Sequence, residues 1–272
     1  MSRIDWPDVI GQAESIVRSY TTGVTLRQLF YRLVSAQLIP NTQTAYKGLS
    51  ARTAEARRSG GFPALIDRGR TIHQPTYFDD VGHALRSIIR YYRLDRTEEQ
   101  DVSLYLGVEK NGMVEQLSAW FGDLGIPILA LGGYSSQTYV DDVTSHAECQ
   151  ERPAVLLYAG DFDPSGEDID RDFEDRTGCW DEVHRVALSA AQVRQYRLPP
   201  NPGKATDSRA GAFIARHGEL VQVELDALDP DDLRALFTEA IGQFWDTSAY
   251  EAVRERERED IRRLREVAGG AA

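Results

Sequence analysis

Ala154-Val155-Leu156-Leu157-Tyr158-Ala159-Gly160-Asp161-Phe162-Asp163-Pro164-Ser165-Gly166 is the stretch on which the fold turns. Its first six residues are an unbroken apolar run. Such a run, closed by turn residues, reads as a strand buried on both faces, the habit of a parallel sheet. Gly160, Pro164 and Gly166 supply the turn. Asp161 and Asp163 therefore stand at the carboxyl end of a buried strand, where open α/β sheets bind their ligands. Two carboxylates one residue apart repel each other unless a cation joins them. Hard oxygen donors of this kind suit Mg²⁺, with Mn²⁺ as a substitute.

Outward from this stretch the pattern alternates. Ser103–Val108 is a second apolar strand and ends at Glu109, a third carboxylate at a strand end. Strands are also expected at 126–131 and 183–188, with helices at 112–121, 136–147 and from Ser165. Strands separated by helices imply a mainly parallel sheet flanked by helices. A lone Asp-x-Asp is common in acidic loops; Glu109 at a second strand end is what singles this one out. Residues 199–219 read as a loop with a short helix, Leu220–Leu225 as a last strand and Asp232–Phe244 as a helix. In Ser248–Val267 the alternating charges read as a solvated helix.

The first 95 residues differ in kind. They carry 13 basic against 8 acidic residues, whereas 96–200 carry 8 against 20 and 201–272 carry 10 against 15. The chain is acidic overall, at −12, yet its first third is basic, the asymmetry of a polyanion-binding module. Helices are expected at 7–20, from the N-cap Thr25 to about Ala36, and at 43–58. Phe62–Ile66 follows as a short extended piece, and Asp67-Arg68-Gly69-Arg70 as a basic loop. Three helices, a strand and a basic loop compose a helix-turn-helix with a wing, a winged-helix domain. Asp80–Tyr92 reads as a connecting helix, and the polar stretch Asp95–Asp101 divides domain 1–95 from domain 96–272. On the third helix Lys47, Arg52, Arg57 and Arg58 are the candidate DNA contacts, with Arg68 and Arg70 extending them onto the wing. On the second helix Tyr31 lies one turn beyond Arg27, so the two side chains are neighbours. A phenol beside a guanidinium can serve as a nucleophile; the same spacing fits a half-buried packing tyrosine.

Composition closes other routes. Cys149 and Cys179 form neither a CxxC pair nor a disulfide framework, and the five scattered histidines form no HxxxH pair. No uncharged apolar run nears the ~18 residues of a membrane span, and the N-terminus lacks a secretory core. A cytoplasmic, nucleoid-associated protein without membrane contact is the expectation.

Thr25-Leu26-Arg27-Gln28-Leu29-Phe30-Tyr31, Val108-Glu109-Lys110, Asp161–Gly166 and Val223-Glu224-Leu225-Asp226-Ala227-Leu228 occur in the order seen in one family. The chain resembles the A subunit of topoisomerase VI and the related meiotic double-strand-break protein, in the compact form found in phages and bacterial mobile elements. The resemblance implies that domain 96–272 is a Toprim domain. It implies that Tyr31 forms a 5′-phosphotyrosyl bond, assisted at the phosphate by Arg27. Asp161, Asp163 and Glu109 would hold Mg²⁺, with Glu109 alternatively the general acid on the leaving oxygen and Glu224 a helper. The implied partners are double-stranded DNA and a second copy, the tyrosine of one subunit serving the metal site of the other. Phe30 departs from the tyrosine often found there. No P-loop is present, so strand passage would require a separate ATPase subunit. Competing readings are a hydrolytic Toprim nuclease that does not use Tyr31 and a non-catalytic DNA-binding protein.

Overall fold

The computed structural model describes residues 4–20, 23–66, 75–133, 135–201 and 209–270. Among these, eleven α-helices surround a four-stranded, all-parallel sheet. Its strands are β1 (Ser103–Val108), β2 (Ile128–Ala130), β3 (Ala154–Ala159) and β4 (Glu182–Ala187), in the spatial order β2-β1-β3-β4. β1 and β3 pair along their whole length, Ser103 with Ala154 through Val108 with Ala159, so both end at the same level. From β1 the chain steps to β2 on one side, then crosses back to β3 on the other. The order reverses between β1 and β3, and at such a switch point α/β sheets form their ligand crevice beyond the carboxyl ends of the strands.

Both central strands are buried on both faces, and their alternate residues enter two cores. Tyr105, Leu156 and Tyr158 pack with Val140, Ile169 and Phe173, beneath α6 (Gln137–Glu148) and α7 (Gly166–Thr177). Leu104, Leu106 and Leu157 belong to the larger core, which also holds Leu29, Phe30 and Leu49 of the N-terminal helices. That core includes residues of α5 (Val114–Phe121) and α10 (Pro230–Gly242).

The N-terminal helices begin where capping chemistry places them. Asp5 caps α1 (Trp6–Ser19), Thr25 and Gln28 form a reciprocal capping box on α2 (Leu26–Ser35), and Thr42 caps α3 (Gln43–Arg58). Buried Gln28 then uses its amide a second time, donating to Gln116 of α5 at 2.9 Å. Arg32 pairs at 2.9 Å with Asp229, the N-cap of α10. The remaining helices are α4 (Val81–Tyr91), α8 (Ala190–Gln195), α9 (Ala210–His217) and α11 (Thr247–Gly270).

Three expectations change. The strand expected at 62–66 is a single bridge, Ile66 with Thr25, and Arg68 and Arg70 lie outside the described residues. Leu220–Leu225 is not a strand: Val223 and Gln222 make one antiparallel bridge each, to Phe162 and Asn201, before a 3-10 turn at Leu225–Ala227. Its alternating apolar residues enter the core, but no strand edge runs beside it. The helix at 248–267 is present, yet not solvated all round: Tyr250, Val253 and Glu257 are buried. No helix among the described residues is long and apolar enough to cross a membrane.

Candidate active site

The crevice beyond β1 and β3 gathers the acids that follow those strands. The Asp161 amide donates to Glu109 Oε2 at 2.9 Å, tying the two strand ends together. Asp163 Oδ1 accepts from the Gly166 amide at 2.7 Å, which closes the turn into α7. Only glycine fits at 166, because a Cβ there would run into the Asp161 carbonyl. The bridge between Phe162 and Val223 clamps the 223–226 turn onto this loop, with amide bonds of 2.8 and 2.9 Å. That clamp delivers Glu224 and Asp226 to the crevice.

Lys110, directly after Glu109, reaches into the acids. Its Nζ lies 3.0 Å from Asp161 Oδ1, 3.1 Å from Glu224 Oε2 and 3.0 Å from Asp226 Oδ2. Burial disfavours its charge, but Asp226, Asp161 and Glu224 outweigh burial and hold the ammonium well above its usual pKa. Asp161 Oδ1 also accepts the Leu225 amide at 2.8 Å. Burial nevertheless raises its carboxyl pKa, against the opposing Lys110 charge. Glu109 is pushed up to about 7, first by burial and then by the charge of Asp161.

The tyrosine of α2 meets the same network from the other side. Arg27 Nε pairs with Glu224 Oε2 at 3.1 Å. The Asn201 amide donates to Tyr31 Oη at 2.9 Å and to Glu224 Oε1 at 3.3 Å. Asn41 donates to the Asn201 oxygen at 2.9 Å, which fixes the amide so that both its hydrogens face Tyr31 and Glu224. Tyr31 is only 4% exposed, and burial raises its phenol to about 12, with the Asn201 hydrogen bond opposing. The phenol therefore joins the acidic crevice of its own chain through Glu224 and Lys110.

Among the described residues no group of three or more His, Cys, Asp or Glu stands ready to hold a metal ion. The chemistry of the donors nonetheless fits one. Glu109, Asp161 and Asp163 are hard oxygens at one end of the sheet, and burial raises the pKa of Glu109 and Asp161. The buried Tyr158 phenol, pressed against Gly160, has no hydrogen-bond partner among the described residues and is influenced by Glu109.

The basic candidates of α3 part company. Lys47, Arg57 and Arg58 are exposed. Arg52 folds back instead: its guanidinium lies 4.2 Å over the Trp6 ring and donates to the Gly48 carbonyl at 3.2 Å. Exposed Glu55 interrupts the basic face. Of the residues expected from the sequence, Tyr31, Arg27, Glu224, Glu109 and Asp161 are joined by hydrogen bonds and ion pairs, directly or through Asn201 and Lys110, whereas Asp163 bonds the Gly166 amide and acts on Glu109 only through its charge. Sequence reasoning missed Asn201 and gave no role to Lys110 or Asp226. Asn201 carries no periodic signal, standing between two prolines in an irregular stretch; Lys110 and Asp226 were visible only as neighbours of named acids.

No protein-family model matches this chain, and no curated protein matches it.

Proposed function

We propose that this chain is a Mg²⁺-dependent DNA-cleaving transesterase resembling the topoisomerase VI A subunit, built from a winged-helix domain and a Toprim domain. The observation that carries the reading is the joining of Tyr31, through Asn201, Glu224 and Lys110, to the carboxylates at the β1/β3 switch point.

In this reading α3 lays Lys47, Arg57 and Arg58 along the phosphates of a duplex, positioning it without reading sequence. A scissile phosphate entering the crevice competes with Glu224 for Arg27 and frees the guanidinium to hold a phosphoryl oxygen. Glu224 faces the phenol and takes its proton, while Asn201 donates to the developing phenolate. Tyr31 Oη then bonds to phosphorus as the bond to the 3′ oxygen breaks, leaving a 5′-phosphotyrosyl link. Mg²⁺, held by Glu109, Asp161 and Asp163, would neutralise charge on the phosphoryl oxygens. Where Glu109 stays outside the metal's shell, leaving Asp161 and Asp163 to hold it, Glu109 instead supplies the proton to the departing oxygen. Two copies cut the two strands of a duplex. The exchange of one ester for another keeps the break resealable.

The burial of Tyr31 favours a second reading, hydrolysis at the same carboxylates with water as the nucleophile and Tyr31 structural. Incubation with supercoiled plasmid and Mg²⁺ separates the two. Transesterification leaves denatured protein attached to 5′ ends, and Tyr31→Phe abolishes both the attachment and the cutting. Cutting that persists in Tyr31→Phe without attachment establishes hydrolysis.

A further inference from the structure

Helix α9 is remote in sequence from the turn that carries Asp161 and Asp163, yet it holds that turn at two points. The first is Phe162, the residue between the two aspartates. Its amide and carbonyl bridge to Val223, so the backbone is extended there, and its ring leaves on the side opposite the flanking carboxylates. The ring is buried, with its centre 5.1 Å from that of Phe213 and 4.9 Å from that of His217. Phe213 and His217 are one turn apart on α9, and their own rings lie 4.5 Å apart, so three rings close on one another. The second point is Glu167, whose amide donates to the Asp163 carbonyl at 3.1 Å in the first turn of α7. His217 Nε2 lies 2.7 Å from Glu167 Oε1, and Arg216 Nη1 donates to Oε2 at 2.8 Å. Both oxygens of this carboxylate are thus engaged by α9.

We propose that Phe213 and His217 are positioning residues for the metal ion: they lock the Phe162 ring and thereby hold Asp161 and Asp163 in place for it. The two carboxylates repel each other, so a loop free to turn would let them splay apart until a cation drew them together. Their own hydrogen bonds restrain each only at one oxygen, Asp161 Oδ1 by Lys110 and the Leu225 amide, Asp163 Oδ1 by the Gly166 amide. Rotation of the backbone at Phe162 would swing both, and a buried ring packed between two others at interior density has no room to follow. The bond from His217 to Glu167 ties the clasp to the start of α7, so α9 cannot slip from one contact without losing the other. Ordering achieved before the ion arrives is ordering that binding need not supply, and affinity rises accordingly. The inference rests on the reading of Asp161 and Asp163 as metal ligands and not on the chemistry of Tyr31.

Titration of the full chain with Mn²⁺ at pH 8, without DNA, followed by the electron paramagnetic resonance of the free ion, measures affinity apart from activity. His217→Ala, at a half-buried position, is expected to weaken Mn²⁺ binding by at least ~10-fold, the effect of losing a residue that orients metal ligands. His217→Phe keeps a ring against Phe162 and is expected to recover most of that loss. Val253→Ala, on the buried face of α11, is the comparison: it is expected to lower the urea midpoint and leave Mn²⁺ affinity unchanged. Should His217→Ala not fold, Phe213→Leu removes the other ring and is expected to weaken binding in the same direction. A folded His217→Ala or Phe213→Leu chain that binds Mn²⁺ as the wild type does overturns the proposal. Tighter binding in His217→Ala also overturns it, because a freed Glu167 would then be joining the metal. An equal loss in Val253→Ala overturns it too, making the effect one of stability alone. A wild type that binds no Mn²⁺ removes the metal reading and the clasp with it, whereas failure of the clasp alone leaves wild-type binding intact.

Discussion

Glu109 pits stability against chemistry at a single side chain. Its carboxyl titrates near 7 in the folded chain and near 4.3 when unfolded. Between those values the folded state holds a proton that the unfolded state has released, so stability falls as pH rises through that window and stays low above it. Without divalent cation, the wild-type melting temperature is therefore expected to drop between pH 5 and pH 7. Glu109→Gln, which cannot ionise, is expected to flatten that slope and to gain on the order of 2 kcal/mol at pH 8, while losing Mg²⁺-dependent cleavage. Mg²⁺ should stabilise the wild type at pH 8 and the variant far less. Thermal melts at both pH values, with and without Mg²⁺, check this; an unchanged slope in Glu109→Gln assigns the pH dependence elsewhere. Of the residues around this carboxylate, those announced by a strand end were legible in the sequence: Asp161 and Asp163 follow an apolar run that admits one interpretation. Asn201 was not, because a hydrogen bond to a phenol 170 positions away leaves no local pattern.

Helix α11 shows how an element hides its function inside a charge run. Arg254 to Glu259 alternates basic and acidic residues, which suggests a solvated surface. Yet Tyr250, Val253 and Glu257 form one face at spacings of three and four, and that face is buried. Arg96, ahead of β1, donates from Nε and Nη2 to the Glu257 carboxylate at 3.0 and 2.5 Å, with both side chains 5% exposed. Its Nη1 donates to Asp123 at 2.6 Å, so one guanidinium staples α11 to the sheet and to the end of α5. Burial disfavours the Glu257 charge, but the hydrogen bonds and charge of Arg96 outweigh it and hold the carboxyl below its usual range. A depressed acid contributes stability that is fully present above its unfolded value, near 4.3, and is lost as pH falls through the folded one. Glu257→Gln is expected to cost about 3 kcal/mol at neutral pH, because Arg96 is left buried and only partly paired. Urea unfolding at pH 7 and pH 3 checks the sign: the gap between variant and wild type narrows at the lower pH. Legibility at this scale followed neighbours. β1 and β3 were readable because both faces of each are buried, and the capped helices because their caps are local. The segment 220–225 was misread because an alternating pattern cannot reveal whether a strand edge lies beside it.

Across the whole molecule, the proposed function asks the basic first third to hold a polyanion against a net charge of −12. Screening makes this feasible: at physiological salt the Debye length is about 8 Å, so acids on the far side of the sheet scarcely oppose a phosphate lying on α3. Binding then depends on the few cations that touch the duplex, and each contributes about 0.9 to the slope of log affinity against log salt. The exposed α3 cations and the stacked one separate cleanly. Lys47→Glu and Arg58→Glu are each expected to weaken duplex binding alike across sequences and to lower the slope by about 1. Arg52→Met is expected to leave the slope unchanged and instead to destabilise the chain by about 0.5–1 kcal/mol, because it removes a cation from the Trp6 ring. Fluorescence anisotropy titrations over a salt series, paired with urea unfolding of the same variants, read both quantities. If Arg52→Met lowers the slope as much as Lys47→Glu does, Arg52 leaves Trp6 to meet phosphate, and the duplex lies nearer α1 than the exposed face of α3. If none of the three moves the slope, α3 is not the nucleic-acid surface, and the basic character of residues 1–95 serves something other than a duplex.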